Sequence, residues 1–300
     1  MDPTICVSFA TVKRDGYDYF EASVGSLLEG LDPRERSALC LNILFRDTDP
    51  SRNPSWGQKW TDRLVDKTGS YDASEEEFSH LQELEKARNF HEKGIFYIAI
   101  FEEDNIIADG WMVKTLKALS DISYRSTQNP WIYLRLFYTE TLMSWSSSDF
   151  AYRNMTFIFL VVQLAVFAGL MLRRRLASGH PYLDYPKIGV VEMNTYGCCT
   201  QGLVFPREQV DGLITFLKDI KTGQTDFIIE EYADMARLTQ YALVPQQLQH
   251  VGLKSSRDTL EIYTGSTWAF WFEENDPAKL KRVHEDFLQH PDIQRMLGHV

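Results

Sequence analysis

Residues 95–104 read IFYIAIFEED, an apolar and aromatic run that ends abruptly in three carboxylates. A short run of this kind between polar segments reads as a fully buried strand, here over residues 95–101. A helix is expected to follow near Asp109, which is placed as its cap, with Trp111, Thr115, Leu116 and Leu119 spaced for burial. Working outward, residues 4–10 (TICVSFA), 39–45 (LCLNILF) and 131–137 (WIYLRLF) read as further buried strands, and residues 200–205 as another. Helices are expected over residues 19–31, through Phe20, Val24, Leu27, Leu28 and Leu31, and over 74–93, 208–220 and 226–238. Strands alternating with helices predict an α/β fold with a mostly parallel sheet, in which ligands bind outside the carboxyl ends of the strands. Those ends carry TVKR (11–14), RDTDP (46–50) and EED (102–104).

These ends supply the candidate chemistry. In an extended chain Glu102 and Asp104 point to one side and Glu103 to the other. Carboxylates this close raise one another's pKa unless a cation neutralises them, which suits a hard divalent metal. A solvated acidic turn before a helix N-terminus accounts for the same three residues. His250, in QHVGLKSS (249–256), reads either as a metal-ligating imidazole or as a satisfied core histidine. Asp226 reads either as a general base or as a helix-capping residue. Cys6 and Cys40 lie in apolar strands and Cys198 and Cys199 are adjacent, a pattern that fits buried free thiols rather than a metal knuckle or a Cys/His nucleophile. The GxGxxG, Walker A and GxSxG signatures are absent.

Composition narrows the class. Of 300 residues 44% are hydrophobic, 24% charged and 13% aromatic, which excludes collagen, low-complexity disorder and a disulfide scaffold. A net charge of −11 argues against a broad phosphate-backbone footprint, so nucleic acid is not an expected partner. The mean hydropathy of −0.28 hides residues 155–172 (MTFIFLVVQLAVFAGLML), followed at once by Arg173, Arg174 and Arg175. This stretch is expected to cross a membrane with its arginines cytosolic, the alternative being a long buried core helix. The first residues lack the basic and apolar regions of a signal peptide.

Taken in chain order, TVKR with SLLEGLDPRER (26–36), the DTD turn (47–49), HEKGIFY (91–97) leading into FEED, Thr225-Asp226 and QHVGLKSS resemble the N-acetylglucosaminyltransferase IV family. LRLFYTET (134–141), YGCCTQ (196–201) and STWAFWFE (266–273) resemble the fungal-type, membrane-embedded relatives of the post-GPI-attachment N-acetylgalactosaminyltransferase. The resemblance implies a GT-A (Rossmann-like) glycosyltransferase domain interrupted by an inserted transmembrane helix. It also implies an inverting, Mn²⁺-dependent transfer of a GalNAc-like hexosamine from a UDP-sugar to a GPI-anchor glycan. The implied setting is a Golgi membrane with the catalytic domain lumenal.

Residue by residue, the resemblance implies Asp104 and His250 as metal ligands, with Glu102 and Glu103 completing the acidic motif. It makes Asp226 the catalytic base, puts Thr11, Lys13 and Arg14 at the uridine end, and adds Asp47 and Asp49 on the donor side. An N-glycan-branching enzyme of the same fold, and a membrane protein that keeps the fold without activity, are the alternatives. The division expected is residues 1–151 for the nucleotide-sugar side, 152–175 for the transmembrane segment and 176–300 for the acceptor side. A single crossing would separate residues 102–104 from Asp226 and His250, and residues 176–191, with Asp184 and two prolines, are unsuited to a return. The sequence is therefore expected to be shorter than its relatives before the first strand, near Gly94 and after Arg175.

Overall fold

A computed structural model describes residues 3–14, 18–71, 82, 84–86, 88, 96–125, 130–138, 160–161, 163–166, 188–193, 200–220, 223–252, 269, 272 and 275–298. At its centre lie three parallel strands, β1 (Ile5–Thr11), β2 (Leu39–Phe45) and β4 (Tyr97–Glu102). Every residue of β1 and β2 is buried, as expected where helices cover both faces of a parallel sheet and strands read as continuous apolar runs. β1 pairs with β2 on one side from Ile5↔Leu39 to Thr11↔Phe45, and with β4 on the other from Ile5↔Tyr97 to Ala10↔Glu102.

Five further strands complete the main sheet: β3 (Lys67–Ser70), β6 (Trp131–Arg135), β7 (Gly189–Glu192), β8 (Leu203–Pro206) and β9 (Thr239–Val244). The eight run in the order β3-β2-β1-β4-β8-β6-β9-β7, and only β7 and β8 are antiparallel to their neighbours. A separate ribbon joins β5 (Asn105–Ile107) to β10 (Leu248–His250). The strands expected from the sequence are present, within a few residues of their expected bounds. β3, with the polar sequence KTGS, β5, β7 and β9 were not among them; β3 forms because β2 offers it an unpaired edge.

On one face, α1 (Phe20–Leu28) and α4 (Trp111–Arg125) pack over Phe9, Phe101 and Leu41. Phe101 meets Phe9 and Trp111 edge-on, each with ring centroids 5.7 Å apart, a preferred aromatic geometry. The Trp111 indole donates to the Leu27 carbonyl at 3.0 Å and so joins the two helices. On the other face α5 (Arg207–Ile220) and α6 (Thr225–Ala236) cover Ile98, Ile100, Tyr133 and Phe205. Cys6 and Cys40 lie buried in register on β1 and β2, reduced as expected, while Cys198 and Cys199 fall outside the described residues.

Strands from both sides of residues 152–175 interleave in this one sheet: β8 sits between β4 and β6, and β9 pairs with β6. A hydrogen-bonded sheet lies on one side of a bilayer, so residues 155–172 cannot act as a lone crossing between two separated halves, and the expectation is corrected to that extent. Among the described residues no helix is long and apolar enough to cross a membrane. Of the expected segment only residues 160–161 and 163–166 are described; they are helical, with Leu160, Val161, Leu164 and Val166 exposed. The rest of it, the arginine triplet and most of the expected 74–93 helix lie outside the described residues.

Two further helices lock the rear of the first core face. α2 (Pro33–Ala38) opens with a capping box in which Asp32 and Glu35 satisfy each other's backbone amides, and Pro33 stands where no amide is needed. The buried Glu35 also accepts from His284 Nε2 at 2.7 Å, which ties α2 to α7 (Pro277–Leu288). That hydrogen bond raises the His284 imidazole above its ordinary value against partial burial, and Asp32 and Asp109 add to it. A raised folded-state value gives a contribution complete below the unfolded imidazole pKa of about 6.5 and lost as pH rises through the folded one. In urea titrations His284→Gln is expected to lose about 1–3 kcal/mol at low pH. The wild-type decline in stability above about pH 6.5 should be absent from the variant's profile.

Candidate functional site

From β1 the chain steps to β2 and β3 on one side and then returns to β4 on the other, so the order of strands reverses between β1 and β4. In open α/β sheets the crevice beyond the carboxyl ends at such a reversal is where ligands bind. Here its walls are residues 11–14, following β1, and residues 102–104, at the end of β4.

Glu103 holds the walls together. One of its carboxylate oxygens accepts from the Thr11 hydroxyl at 2.5 Å and the Val12 amide at 3.0 Å, and the other from Arg14 Nε at 2.6 Å. Its backbone carbonyl accepts from the Ser23 hydroxyl of α1. Burial pushes the Glu103 carboxyl above its ordinary value, while Arg14 and the Thr11 and Val12 donors oppose that rise. The Arg14 guanidinium reaches on to Asp104 Oδ2 at 3.1 Å and lies 5.8 Å from the centre of the Tyr19 ring, within cation–π range. Asp47, at the end of β2, accepts from the Lys13 amide at 3.0 Å and so orders the same loop.

The three carboxylates have separate tasks. The Glu102 carboxylate accepts from the Thr200 hydroxyl at 2.6 Å, on the approach to β8. Asp104 faces β10: His250 pairs with Asn105, the Val251 amide donates to the Asp104 carbonyl at 2.8 Å, and His250 Nε2 lies 3.4 Å from Asp104 Oδ2. Burial alone would raise the Asp104 carboxyl, but the His250 imidazole and the Arg14 guanidinium outweigh it and hold the group below the usual carboxylate range. Asp104 Oδ1 is buried and has no hydrogen-bond partner among the described residues. A buried carboxylate oxygen in that state is costly unless a ligand satisfies it.

Gly252 keeps the space beside this pair open. A Cβ there would stand 2.2 Å from Asp104 Oδ2 and 2.9 Å from His250 Nε2. Next to the cluster lies a cavity of about 420 Å³ lined by Thr11, Lys13, Arg14, Arg52 and Asn53, among others. Arg14 is already paired with Glu103 and Asp104, so Lys13 and Arg52, set against Asp18 of the same lining, are the cations that would face an anionic ligand. The glycine, Thr200 and Arg52 were missed in the sequence, although a glycine two residues beyond a strand-end histidine is the signal that would have marked the first.

Of the sequence candidates, the structure brings together Thr11, Lys13, Arg14, Asp47, Glu103, Asp104 and His250, with Glu102 at the border. Asp49 stands apart as the cap of a single 3-10 turn, accepting from the Ser51 amide and hydroxyl. Asp226 is half-buried at the start of α6 and accepts from the Phe227 amide at 3.0 Å; among the described residues no hydrogen bond or ion pair joins it to Asp104 or His250. It does lie at the same edge of the sheet. α6 turns directly into β9, which runs parallel to β4, so the start of the helix returns to the carboxyl ends of the strands. Glu230, one turn further on, fixes α6 there by accepting from Tyr133 at 2.6 Å and pairing with Arg135 of β6 at 3.1 Å.

No family model and no curated protein matches the sequence. Among solved structures there is a likeness to S. aureus TarS 1-349, with a TM-score of 0.45 and 10% identity over 99% of this chain and 70% of that one. A likeness that loose carries no functional argument.

Removing the shared guanidinium leaves two buried carboxylates without their cation. Arg14→Met is expected to destabilise the fold by about 3 kcal/mol. Arg14→Lys should recover only part of that, because an ammonium cannot fork across two carboxylates. Chemical denaturation of both variants measures this; equal stability of Arg14→Met and wild type would show that the bridge contributes nothing.

Proposed function

We propose that the protein is a glycosyltransferase that takes a sugar from a nucleotide-diphosphate donor, with a UDP-hexosamine as the donor and a GPI-anchor glycan as the acceptor. The observation that carries the reading is the unpartnered, buried Asp104 oxygen beside His250, next to the cation-lined cavity at the β1/β4 reversal. The choice of hexosamine and of the GPI glycan, and a place in a Golgi membrane, rest on the sequence resemblance alone.

The donor set fits a divalent metal in a limited way. Among the described residues no group of three or more His, Cys, Asp or Glu could hold one. Asp104 and His250 supply an oxygen and a nitrogen, so the remaining positions would fall to the donor diphosphate and water. Mn²⁺, held by this pair, would neutralise the charge of the departing diphosphate. Arg14 holds the Asp104 carboxylate ionised and in place, and Lys13 and Arg52 face the cavity where a diphosphate would lie. Asp226, at the same sheet edge, is the proposed acceptor of the proton from the attacking hydroxyl. A second reading is metal-free donor binding, favoured by Arg14 standing where it already neutralises both acidic side chains.

Turnover of UDP-hexosamines with Mn²⁺ tests the proposal. The wild type is expected to be active, Asp104→Asn to lose about 100-fold or more and Asp226→Asn about 10²–10⁴-fold. Activity that survives EDTA selects the metal-free reading. Absence of turnover with any UDP-hexosamine overturns the proposed activity, and an unaffected Asp104→Asn enzyme overturns the assignment of Asp104 to its site.

A further inference from the structure

A second cavity, of about 490 Å³, lies between α4, the end of β9 and α7. Its volume is within the range of about 300–1,000 Å³ typical of small-molecule sites. The walls are predominantly apolar, formed by Leu243, Pro245, Leu280, Val283 and Phe287. Lys114 of α4 and Lys279 of α7 project into the same lining. Among the described residues neither lysine side chain has a hydrogen-bond or ion-pair partner, whereas the third lysine of the lining, Lys117, is paired with Asp121.

Three carboxylates, Asp121, Asp276 and Asp286, share the lining with the three lysines, and none of them is bonded to the Lys114 ammonium. Asp121 is taken by Lys117, and Asp276 caps α7 by accepting from the Lys279 amide at 2.8 Å. Asp286 is exposed to solvent, and Asp109 sits at the start of α4 beside Gly30. Burial pushes the Lys114 ammonium down to about 8, Asp109 opposes this and Lys279 adds to it. An anion placed against the half-buried Lys114, with the exposed Lys279 at the rim, would pair with it in a partly desolvated setting, where charge pairing is stronger than in water. The hydrocarbon walls would at the same time take an apolar tail.

We propose that this cavity binds an amphiphilic monoanion, a fatty carboxylate whose head group lies against Lys114 and Lys279 and whose chain covers Leu243, Pro245, Leu280, Val283 and Phe287. The site shares no lining residue with the cavity beside Asp104, and the proposal does not rest on the transferase reading.

Calorimetric titration of the intact protein with decanoate, decanol and acetate tests it. Saturable decanoate binding is expected, with decanol and acetate each weaker by about tenfold or more, and with Lys114→Met reducing decanoate affinity by a similar factor. Lys114→Gln and a thermal melt of each variant separate loss of binding from loss of folding. Independently of any variant, the NMR titration midpoint of isotopically methylated Lys114 in the wild type should rise when decanoate is added. Failure of decanoate to saturate, equal affinity for decanol, or an unmoved Lys114 midpoint at saturation overturns the proposal.

Discussion

The buried Glu103 carboxylate is the contact on which the candidate site depends. It closes the β1/β4 crevice by accepting three hydrogen bonds from residues 11, 12 and 14, while its own backbone is held by Ser23 of α1. Placing a carboxylate there costs several kcal/mol of desolvation, and only a nearly complete set of donors offsets such a cost. The consequence is geometric more than energetic. With Glu103 engaged in this way, residues 11–14 are held against the end of β4, and a second nitrogen of Arg14 reaches Asp104.

Because Glu103 takes up the loop donors, Asp104 retains an open oxygen. An acidic cluster in which every member faced solvent would hold a metal loosely and titrate together. Here each carboxylate belongs to a different neighbour: Glu102 to the approach to β8, Glu103 to the loop after β1, Asp104 to β10. Of the three, Asp104 is the one with a buried oxygen that has no partner among the described residues. The sequence suggested alternation, with Glu102 and Asp104 on one side, and that holds only for an extended chain. β4 ends at Glu102 and the next two residues turn, so the three side chains diverge.

What was legible in the sequence follows from how each element is stabilised. β1, β2, β4 and β6 are buried on both faces, so their apolar runs encode them locally. β3 and β10 are short and mostly polar, and exist because a neighbour supplies hydrogen bonds, which no local pattern records. The carboxyl-end loops were recognised as candidate ligand positions on the general behaviour of parallel sheets. The partnership of Asp104 with His250 was legible only through resemblance, since it arises from β10 folding back on β5. Thr200 acts through a hydrogen bond rather than through a motif, and nothing near it in the chain marks the role, whereas Gly252 is marked only by standing two residues beyond His250.

Both cavities lie where parallel strands end, and one short segment runs from the wall of the apolar one to the Asp104 site. Pro245 and Gln247 line the apolar cavity, and β10 follows at once to place His250 against Asp104. The segment is tied on both sides: the Gln247 amide donates to the Leu136 carbonyl at 2.9 Å, and the Gln247 carbonyl accepts from the Ala108 amide at 2.8 Å. Its side chains are buried as well, with Gln246 and Gln247 almost fully enclosed. Gln246 Nε2 donates to the Tyr138 carbonyl and Gln247 Nε2 to the Pro245 carbonyl, so the enclosed amides brace the segment. In this fold what they position is the turn from β9 into β10, and through it the imidazole that stands beside Asp104.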